Sequence, residues 1–234
     1  MSKGSAVELM ADWRDAARLA PDVHVWRVEL DLDDASTNEL LLVLSPDERT
    51  RARRYRLDRD RRRFVVARGR LRAILGAYLG SEPGAVHFVV DPRGKPRLAE
   101  VSEHGLEFNV SHSEGKALCA VAWWRRVGVD LERIREDIDW EPVAERFFSL
   151  REVAGLRALT AGRRAAEFVR LWTRKEAWLK ARGDGLADGE RLLRDVEPGA
   201  DGGDWSIWTF DAGPGYAASL AVDHPASTVS STSG

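Results

Sequence analysis

Two acidic residues, Asp130 and Glu132, stand out because they directly follow the apolar run at residues 127–129. The run predicts a strand, and since side chains alternate along a strand, both carboxylates share one face. Neighbouring like charges repel unless a cation lies between them. Magnesium prefers hard oxygen ligands and commonly takes one or two carboxylates together with phosphate oxygens. The pair therefore predicts a magnesium site or, alternatively, two solvated surface charges.

A second candidate group lies on a predicted helix at residues 171–180. Glu176 and Lys180 are four positions apart and share a face with Trp172, one turn earlier. A surface salt bridge is the alternative reading, because such pairs are common and contribute little. The dense tryptophan and leucine flanks favour a partly buried face instead. The helix therefore predicts a carboxylate and an ammonium directed at a site.

Three further polar groups could donate to phosphate oxygens. Ser111 and His112 close a predicted strand at residues 108–113, and Lys95 stands in a Gly-Lys-Pro turn. Between Arg49 and Arg72 the chain is crowded with arginine, which suits phosphates, an acidic protein partner or nucleic acid. A solvated helix face is the alternative for the arginines.

The elements that must position these residues occur twice. Ser45 with Glu48, and Ser149 with Glu152, form Ser-x-x-Glu capping boxes that open helices. Nineteen residues after each serine a phenylalanine, Phe64 or Phe168, begins a further helical pattern. The apolar run at residues 115–122 resembles that at 215–222, and each half opens with a strand, at 23–28 and at 127–131.

The repeat predicts an α+β fold of two similar halves related by a pseudo-twofold axis, with the active site in the cleft between them. The predicted boundaries are an N-terminal half at 1–125, a C-terminal half at 126–223 and a flexible tail at 224–234. The alternative is a chance similarity between two short α+β segments.

Composition narrows the class of protein. Of the 234 residues 44% are hydrophobic and 32% are charged, as in globular proteins, and no apolar run approaches the ~18 residues of a membrane span. The N-terminus lacks the apolar stretch of a signal peptide, and the single cysteine, Cys119, fits a reducing cytoplasm as a buried thiol. We expect a cytoplasmic enzyme. Phosphate-loop, zinc-protease and nucleophile-elbow motifs are absent.

Four ordered motifs carry a resemblance to a known family. They read F-N-V-S-H-S at 108–113, G-V-D-L-E at 128–132, F-F-S-L-R-E at 147–152 and W-T-R-K-E-A-W-L-K-A-R-G-D-G-L at 172–186. In this order and spacing they resemble the Sfp-type 4′-phosphopantetheinyl transferases, and G-K-P at 94–96 fits as well. The resemblance implies two similar α+β halves with coenzyme A bound between them.

The resemblance also implies roles for individual residues. Asp130, Glu132 and Glu176 become the magnesium ligands, with manganese as a substitute. Glu176 and Lys180 become catalytic, and Lys180 also contacts the pyrophosphate. The residues expected to hold the phosphates of coenzyme A are Lys95, Ser111 and His112, with Arg51 and Arg63 for the 3′-phosphate.

The implied reaction is that of a holo-[acyl-carrier-protein] synthase. The 4′-phosphopantetheine arm of coenzyme A moves to a serine of an acyl or peptidyl carrier protein, and 3′,5′-ADP leaves. Such activation serves fatty acid, polyketide or nonribosomal peptide biosynthesis. We expect a monomer that binds neither nucleic acid nor membranes. The alternatives are another magnesium-dependent phosphotransfer enzyme and a non-enzymatic, arginine-rich nucleic-acid binder.

Overall fold

The computed structural model describes residues 22–91, 95–99, 105–184, 192–194 and 204–224. The predicted tail beyond His224, the glycine of the Gly-Lys-Pro turn and Leu186 of the last motif lie outside these residues.

The first half packs a long helix on an antiparallel sheet of strand order β1-β5-β4, with a short β2-β3 hairpin beside it. Its strands are β1 (Val23–Glu29), β2 (Phe88–Val90), β3 (Pro96–Leu98), β4 (Leu106–Ser113) and β5 (Lys116–Trp123). Its helices are α1 (Asp34–Leu42), α2 (Pro46–Arg53), α3 (Asp58–Leu79) and a 3₁₀ turn at Pro83–Ala85.

The second half repeats this plan with a sheet of order β6-β8-β7. Its strands are β6 (Val127–Arg133), β7 (Trp205–Phe210) and β8 (Tyr216–Asp223), and its helices are α4 (Glu141–Phe147), α5 (Leu150–Ala158) and α6 (Ala161–Arg182). The long helices α3 and α6 both have 22 residues, and each ends at a glycine in the left-handed conformation, Gly80 and Gly183.

A shared core joins the two halves. Alternate residues of β5, β6 and β8 form one buried cluster, which includes Leu118, Ala120, Val129, Leu131 and Leu220. The opposite faces of the sheets pack against α3 in the first half and α6 in the second. Each sheet is therefore buried on both faces, which explains why residues 117–122 are all apolar and residues 217–222 are apolar except for the buried Ser219.

The α+β prediction of two similar halves is confirmed. Both capping boxes form, with the serine hydroxyl and the glutamate carboxylate bonded to backbone amides. Cys119 is buried, as expected. In the part of the chain that the structure describes, no helix is both long enough and apolar enough to cross a membrane.

Both long helices begin earlier than predicted, and the helix expected from Phe168 starts seven residues earlier, at Ala161. The helix predicted from Phe64 begins six residues earlier, at Asp58, where Asp58 and Asp60 complement the positive end of the helix dipole. Helix α1 was not predicted, because its leucines follow one another at its end instead of recurring every three or four residues.

Candidate active site

Side chains of β4 join the first half to β6 of the second. The amides of Val129, Leu131 and Arg133 donate to the side chains of Asn109 (3.0 Å), Ser111 (3.2 Å) and Ser113 (3.1 Å), respectively. The constant offset of about 20 residues means that the two strands run in the same direction. This row of contacts fixes β6, which carries the acidic pair, against the end of β4, which carries Ser111 and His112.

Asp130 is the most enclosed acidic residue of the site, with 2% of its surface exposed. Its Oδ1 atom accepts from the Lys180 ammonium at 2.6 Å and from the Ser111 hydroxyl at 2.9 Å. Its Oδ2 atom is buried and has no hydrogen-bond partner among the described residues. An unpaired buried carboxylate oxygen is costly, which points to a missing cationic or donor group.

Glu132 and Glu176 complete a group of three carboxylates. Glu132 accepts from the Ser113 hydroxyl at 2.9 Å, yet burial and the charge of Asp130 raise its pKa. Burial, followed by the charge of Asp130, raises the pKa of Glu176 to about 7, although Lys180 opposes the shift. The charge of Asp130 therefore disfavours ionisation of both glutamates.

These residues fit a magnesium ion chemically, although the described acidic, histidine and cysteine side chains do not converge on a ready-made metal site. Two observations support a bound cation: the Oδ2 atom of Asp130 has no partner among the described residues, and the pKa values of both glutamates are raised. Hard carboxylate oxygens are the ligands that magnesium prefers. At present the ammonium of Lys180 supplies the positive charge beside Asp130.

Gly128 explains how α6 comes so close to the acidic strand. A Cβ atom at this position would lie 2.1 Å from the carbonyl oxygen of Ala177 and 2.4 Å from the amide nitrogen of Ala181. The helix backbone therefore rests directly on β6. Because Gly128 precedes Asp130 by two positions on the same strand face, this contact brings Glu176 and Lys180 within reach of the acidic pair.

A cavity of about 460 Å³ opens beside Ser111 and His112 in the first half. Its lining combines basic and aromatic side chains with the apolar face of α3, and it includes Arg51, Tyr55, Arg63, Phe64 and Arg68. Ser111 lines this cavity and also hydrogen-bonds Asp130, so the cavity and the acidic group meet at one residue. A mixed basic and aromatic cavity suits an anionic nucleotide.

The two arginines predicted to bind phosphate both line this cavity, but their surroundings differ. Arg51 lies over the Phe64 ring, 5.3 Å from its centre. Arg63 makes a two-pronged ion pair with Asp31, with bonds of 2.6 and 2.7 Å. A phosphate group would have to compete with Asp31 for Arg63, so Arg51 is the better placed of the two.

His112 and Ser111 also reach the cavity. The His112 ring is open to solvent there, while the surrounding protein and the charge of Lys180 lower its pKa. The Ser111 hydroxyl donates to Asp130 and accepts from the Leu131 amide and from Lys180. One donor and two acceptor sites are all that a hydroxyl offers. Ser111 would therefore have to give up one of these bonds to hold a phosphate.

Lys95 contacts the last turn of α6. Its ammonium donates to the carbonyl oxygen of Lys180 at 3.0 Å, in the last turn of α6. A cation is favourable at the C-terminal end of a helix. Burial, followed by the charge of Arg97, lowers the pKa of Lys95. Lys95 thus ties the β2-β3 hairpin to the end of α6, and its contact with phosphate stays a prediction.

The arginine-rich segment is largely used within the protein. The described arginines of α3 that pair with acidic side chains are Arg59 with Asp60, Arg61 with Asp58, Arg62 with Asp34, Arg63 with Asp31, and both Arg68 and Arg72 with Glu48. Such pairs cancel much of the positive charge that a nucleic acid would need. This arrangement weighs against the nucleic-acid alternative.

Sequence reasoning missed three residues of the site. Asn109 and Ser113 alternate with Ser111 along β4, and this polar period of two was the available signal. Arg68 lines the cavity, and its buried Nη1 atom has no hydrogen-bond partner among the described residues. Nothing in the sequence separates Arg68 from the other arginines around it.

The raised glutamate pKa values predict a pH effect on stability. The folded protein binds these protons more tightly than the unfolded chain does, because glutamates in the unfolded chain have a pKa of about 4.3. The resulting stabilisation is present below that pH and is lost as the pH rises through about 7, the pKa of Glu176. We expect the metal-free protein to lose about 1–3 kcal/mol of unfolding free energy between pH 5 and pH 8 from this source.

Denaturant unfolding of the wild type and of Glu176→Gln at both pH values measures this effect. His24 and His112, whose pKa values are lowered, give an opposite trend in the same range, so the difference between the two proteins is the informative quantity. We expect a smaller loss of stability in the variant and a smaller loss in the wild type with magnesium. Parallel pH profiles for both proteins would contradict the raised pKa.

Comparison with known proteins gives a consistent set of relatives. Residues 126–218 match the 4′-phosphopantetheinyl transferase superfamily model, and residues 33–123 match the model for the N-terminal part of a 4′-phosphopantetheinyl transferase. The chain is 47% identical to 4′-phosphopantetheinyl transferase HetI of Nostoc sp. over 77% of this chain and 78% of that protein. It is 26% identical to 4′-phosphopantetheinyl transferase Sfp of Bacillus subtilis over 83% and 88% of the two chains. It is 33% identical to 4′-phosphopantetheinyl transferase AcpT of Escherichia coli over 65% and 66%.

Proposed function

The chain belongs to the 4′-phosphopantetheinyl transferase superfamily, and on that basis we propose how its own residues carry out the reaction. The enzyme transfers the 4′-phosphopantetheine arm of coenzyme A to a carrier protein. Asp130, Glu132 and Glu176 form the magnesium site, and the cavity of the first half receives the nucleotide end of coenzyme A. The observation that carries this proposal is the position of Ser111, which lines the cavity and bonds Asp130.

Within the superfamily, the chain is of the Sfp type. The support is that both halves lie in one polypeptide and carry the four motifs in order. The N-terminal half, at 1–125, binds the nucleotide and its phosphates, and the C-terminal half, at 126–223, carries the metal and catalytic groups. A single chain supplies both parts of the cleft, so a monomer suffices. We further propose that the enzyme works in the cytoplasm.

The nucleotide end of coenzyme A is held by the basic lining of the cavity. Arg51 and His112 bind the 3′-phosphate, and Arg63 assists if it exchanges Asp31 for the ligand. Lys95 and Ser111 hold the neighbouring phosphates, for which Lys95 exchanges the carbonyl oxygen of Lys180 for the ligand and Ser111 gives up one of its present bonds. The aromatic rings of Tyr55 and Phe64 offer surfaces against which the adenine can pack.

In the transfer step the carrier serine oxygen bonds to the phosphorus beside the pantetheine, and the bond from that phosphorus to 3′,5′-ADP breaks. Glu176, a carboxylate of the same acidic group, accepts the serine proton as a general base. Lys180, whose ammonium already lies 3.0 Å from the Ser111 hydroxyl, stabilises the departing 3′,5′-ADP. A bound magnesium ion would neutralise negative charge on the pyrophosphate. The carboxylates of Asp130, Glu132 and Glu176 would hold the ion.

Intact-mass measurement of several apo carriers tests this function directly. Acyl and peptidyl carriers incubated with coenzyme A, magnesium and the enzyme should gain about 340 Da at one serine. EDTA should prevent the gain, and added magnesium or manganese should restore it. Turnover of coenzyme A without modification of any carrier would favour another magnesium-dependent phosphotransfer enzyme.

Recognition of the 3′-phosphate gives a second prediction. We expect dephospho-coenzyme A to bind about 10- to 100-fold more weakly than coenzyme A, because each lost charge-assisted contact costs about 1.5–3 kcal/mol. In Arg51→Ala the difference in affinity between the two ligands should shrink by about 10-fold or more, as measured by calorimetry, because one charge-assisted contact to the 3′-phosphate is lost. Arg49→Ala is the matched control, because its guanidinium bonds the carbonyl oxygens of Leu44 and Leu42. Equal affinities in the wild type would mean that the 3′-phosphate lies elsewhere.

A further inference from the structure

Lys175 is a charged residue with no exposed surface, and it directly precedes the proposed base, Glu176. Its ammonium lies 2.9 Å from the Glu152 carboxylate, which is 11% exposed. The same ammonium donates to the carbonyl oxygen of Leu193 at 2.7 Å and lies 5.2 Å from the centre of the Phe148 ring. A buried ammonium on α6 therefore bonds the start of α5 and a segment beyond α6.

The partners of Lys175 are themselves fixed in place. The Oε2 atom of Glu152, which pairs with the ammonium, also accepts from the Ser149 amide at 2.8 Å in the capping box of α5. Phe148 is 2% exposed and stacks on Phe168. Arg194, next to Leu193, donates to the carbonyl oxygen of Arg146 near the end of α4. Lys175 thus connects α6 to both shorter helices of the second half.

A buried ion pair is a poor way to gain stability, because removing two charges from water costs about as much as their attraction returns. Such pairs are better suited to fixing one orientation of an element among several. The opposite side of α6 is held by apolar packing and by the hydroxyl contact of Thr173 with Ser219 at 2.9 Å. A charged contact is far more sensitive to helix rotation than packing against small apolar residues.

Successive residues of a helix point about 100° apart. The direction in which Lys175 is held therefore sets the direction in which Glu176 points. We infer that Lys175, held by Glu152, is the positioning residue that directs Glu176 at Asp130 and Glu132. This inference rests on the proposed function, because it gives Glu176 its role as a metal ligand and base.

The first half contains a similar device, which supports a positioning role. Arg72 is 3% exposed and bonds the Oε2 atom of Glu48 at 2.7 Å, and that atom accepts from the Ser45 amide. The same guanidinium donates to the carbonyl oxygen of Val86 at 2.7 Å and lies 5.3 Å from the Phe88 ring centre. In each half, a capping-box glutamate holds a buried cation of the long helix that carries the functional side chains.

The test compares Mn²⁺ binding with stability in Glu152→Gln, Lys175→Met and the double variant. Mn²⁺ is titrated by electron paramagnetic resonance with coenzyme A present, and Tm is measured by calorimetry. Residues that orient metal ligands typically alter metal affinity about 10- to 100-fold. We expect each single variant to bind Mn²⁺ at least about 10-fold more weakly and to have a lower Tm.

The double variant separates positioning from stability. It leaves neither Lys175 nor Glu152 charged, so its Tm should return toward that of the wild type, while its Mn²⁺ affinity should stay low because Lys175 no longer fixes this side of α6. If both the Tm and the Mn²⁺ affinity of the double variant returned to wild-type values, Lys175 would have only a structural role and the inference would be overturned. Wild-type Mn²⁺ affinity in all three variants would overturn it as well. If a single variant fails to fold, the double variant still decides.

Leu156→Ala is the matched control. Leu156 lies in α5 and is 1% exposed. It belongs to the same core cluster as Phe148, but its apolar side chain cannot hydrogen-bond Lys175. It should lower Tm while leaving Mn²⁺ affinity unchanged, and equally weakened Mn²⁺ binding would overturn the inference. The wild type is the reference for the proposed function itself. If the wild type neither binds Mn²⁺ nor modifies a carrier, the proposed function fails, whereas unchanged binding in the variants rejects only the positioning role.

Discussion

The Asp130→Asn variant should transfer phosphopantetheine about 10³-fold more slowly than the wild type, because it loses the enclosed carboxylate on which the site is centred. Asparagine keeps the shape of aspartate, and its carbonyl oxygen can still accept from Ser111. Lys180 is partly exposed and tolerates the loss of its partner. The fold should therefore survive. The measurement is carrier modification followed by intact mass over time, with circular dichroism to confirm folding.

The same variant has a second readout. Because the charge of Asp130 contributes to raising the pKa values of Glu132 and Glu176, its removal should lower both. The acidic limb of the residual activity should then move to lower pH. Asp137→Asn is the control, since the Asp137 side chain is 78% exposed and pairs only with surface arginine Arg135 in the described contacts. Near-normal magnesium-dependent transfer by Asp130→Asn would refute the metal assignment.

The Gly128→Ala variant should lose both stability and activity although it adds a single methyl group. Its Cβ would lie 2.1 Å from a backbone oxygen of α6, well inside the 3.0 Å below which real Cβ contacts essentially do not occur. Backbone atoms on both sides cannot swing aside as a flexible side chain can, so α6 must move away from β6. Overpacking of this kind costs about 1–3 kcal/mol. Since α6 carries Glu176 and Lys180, we expect transfer to fall by about 100-fold, as small misplacements of catalytic groups do.

Gly155→Ala is the matched control for this substitution. Gly155 lies inside α5, and a Cβ atom added there would meet no heavy atom within 4 Å, so alanine should raise stability by about 0.5–1 kcal/mol and leave transfer unchanged. Thermal unfolding and carrier modification measure both variants. A Gly128→Ala protein with wild-type stability and rate would show that the close approach of α6 to β6 is not required.

The sequence by itself determined the fold class and the family. The capping boxes at Ser45 and Ser149 depend on contacts within a few residues, so they predict helix starts directly. The apolar runs at 117–122 and 217–222 predict strands because so little of their side-chain surface can face water. Asp130 and Glu132 could be placed on one strand face from the alternation of side chains alone. The four motifs also predicted the reaction, because their order and spacing are specific to one family.

Only the tertiary structure decided which polar groups meet. The sequence could not show that Lys180 would bond Asp130, about 50 residues away, or that Ser111 would link the cavity to the acidic group. Nor could it show that Arg63 pairs with Asp31, that Lys95 reaches the end of α6, or that Lys175 is buried. Hydrogen bonds and ion pairs are short-ranged, so their partners depend on how the two halves pack. That packing is set by the apolar core and by the close approach at Gly128, not by the polar residues themselves.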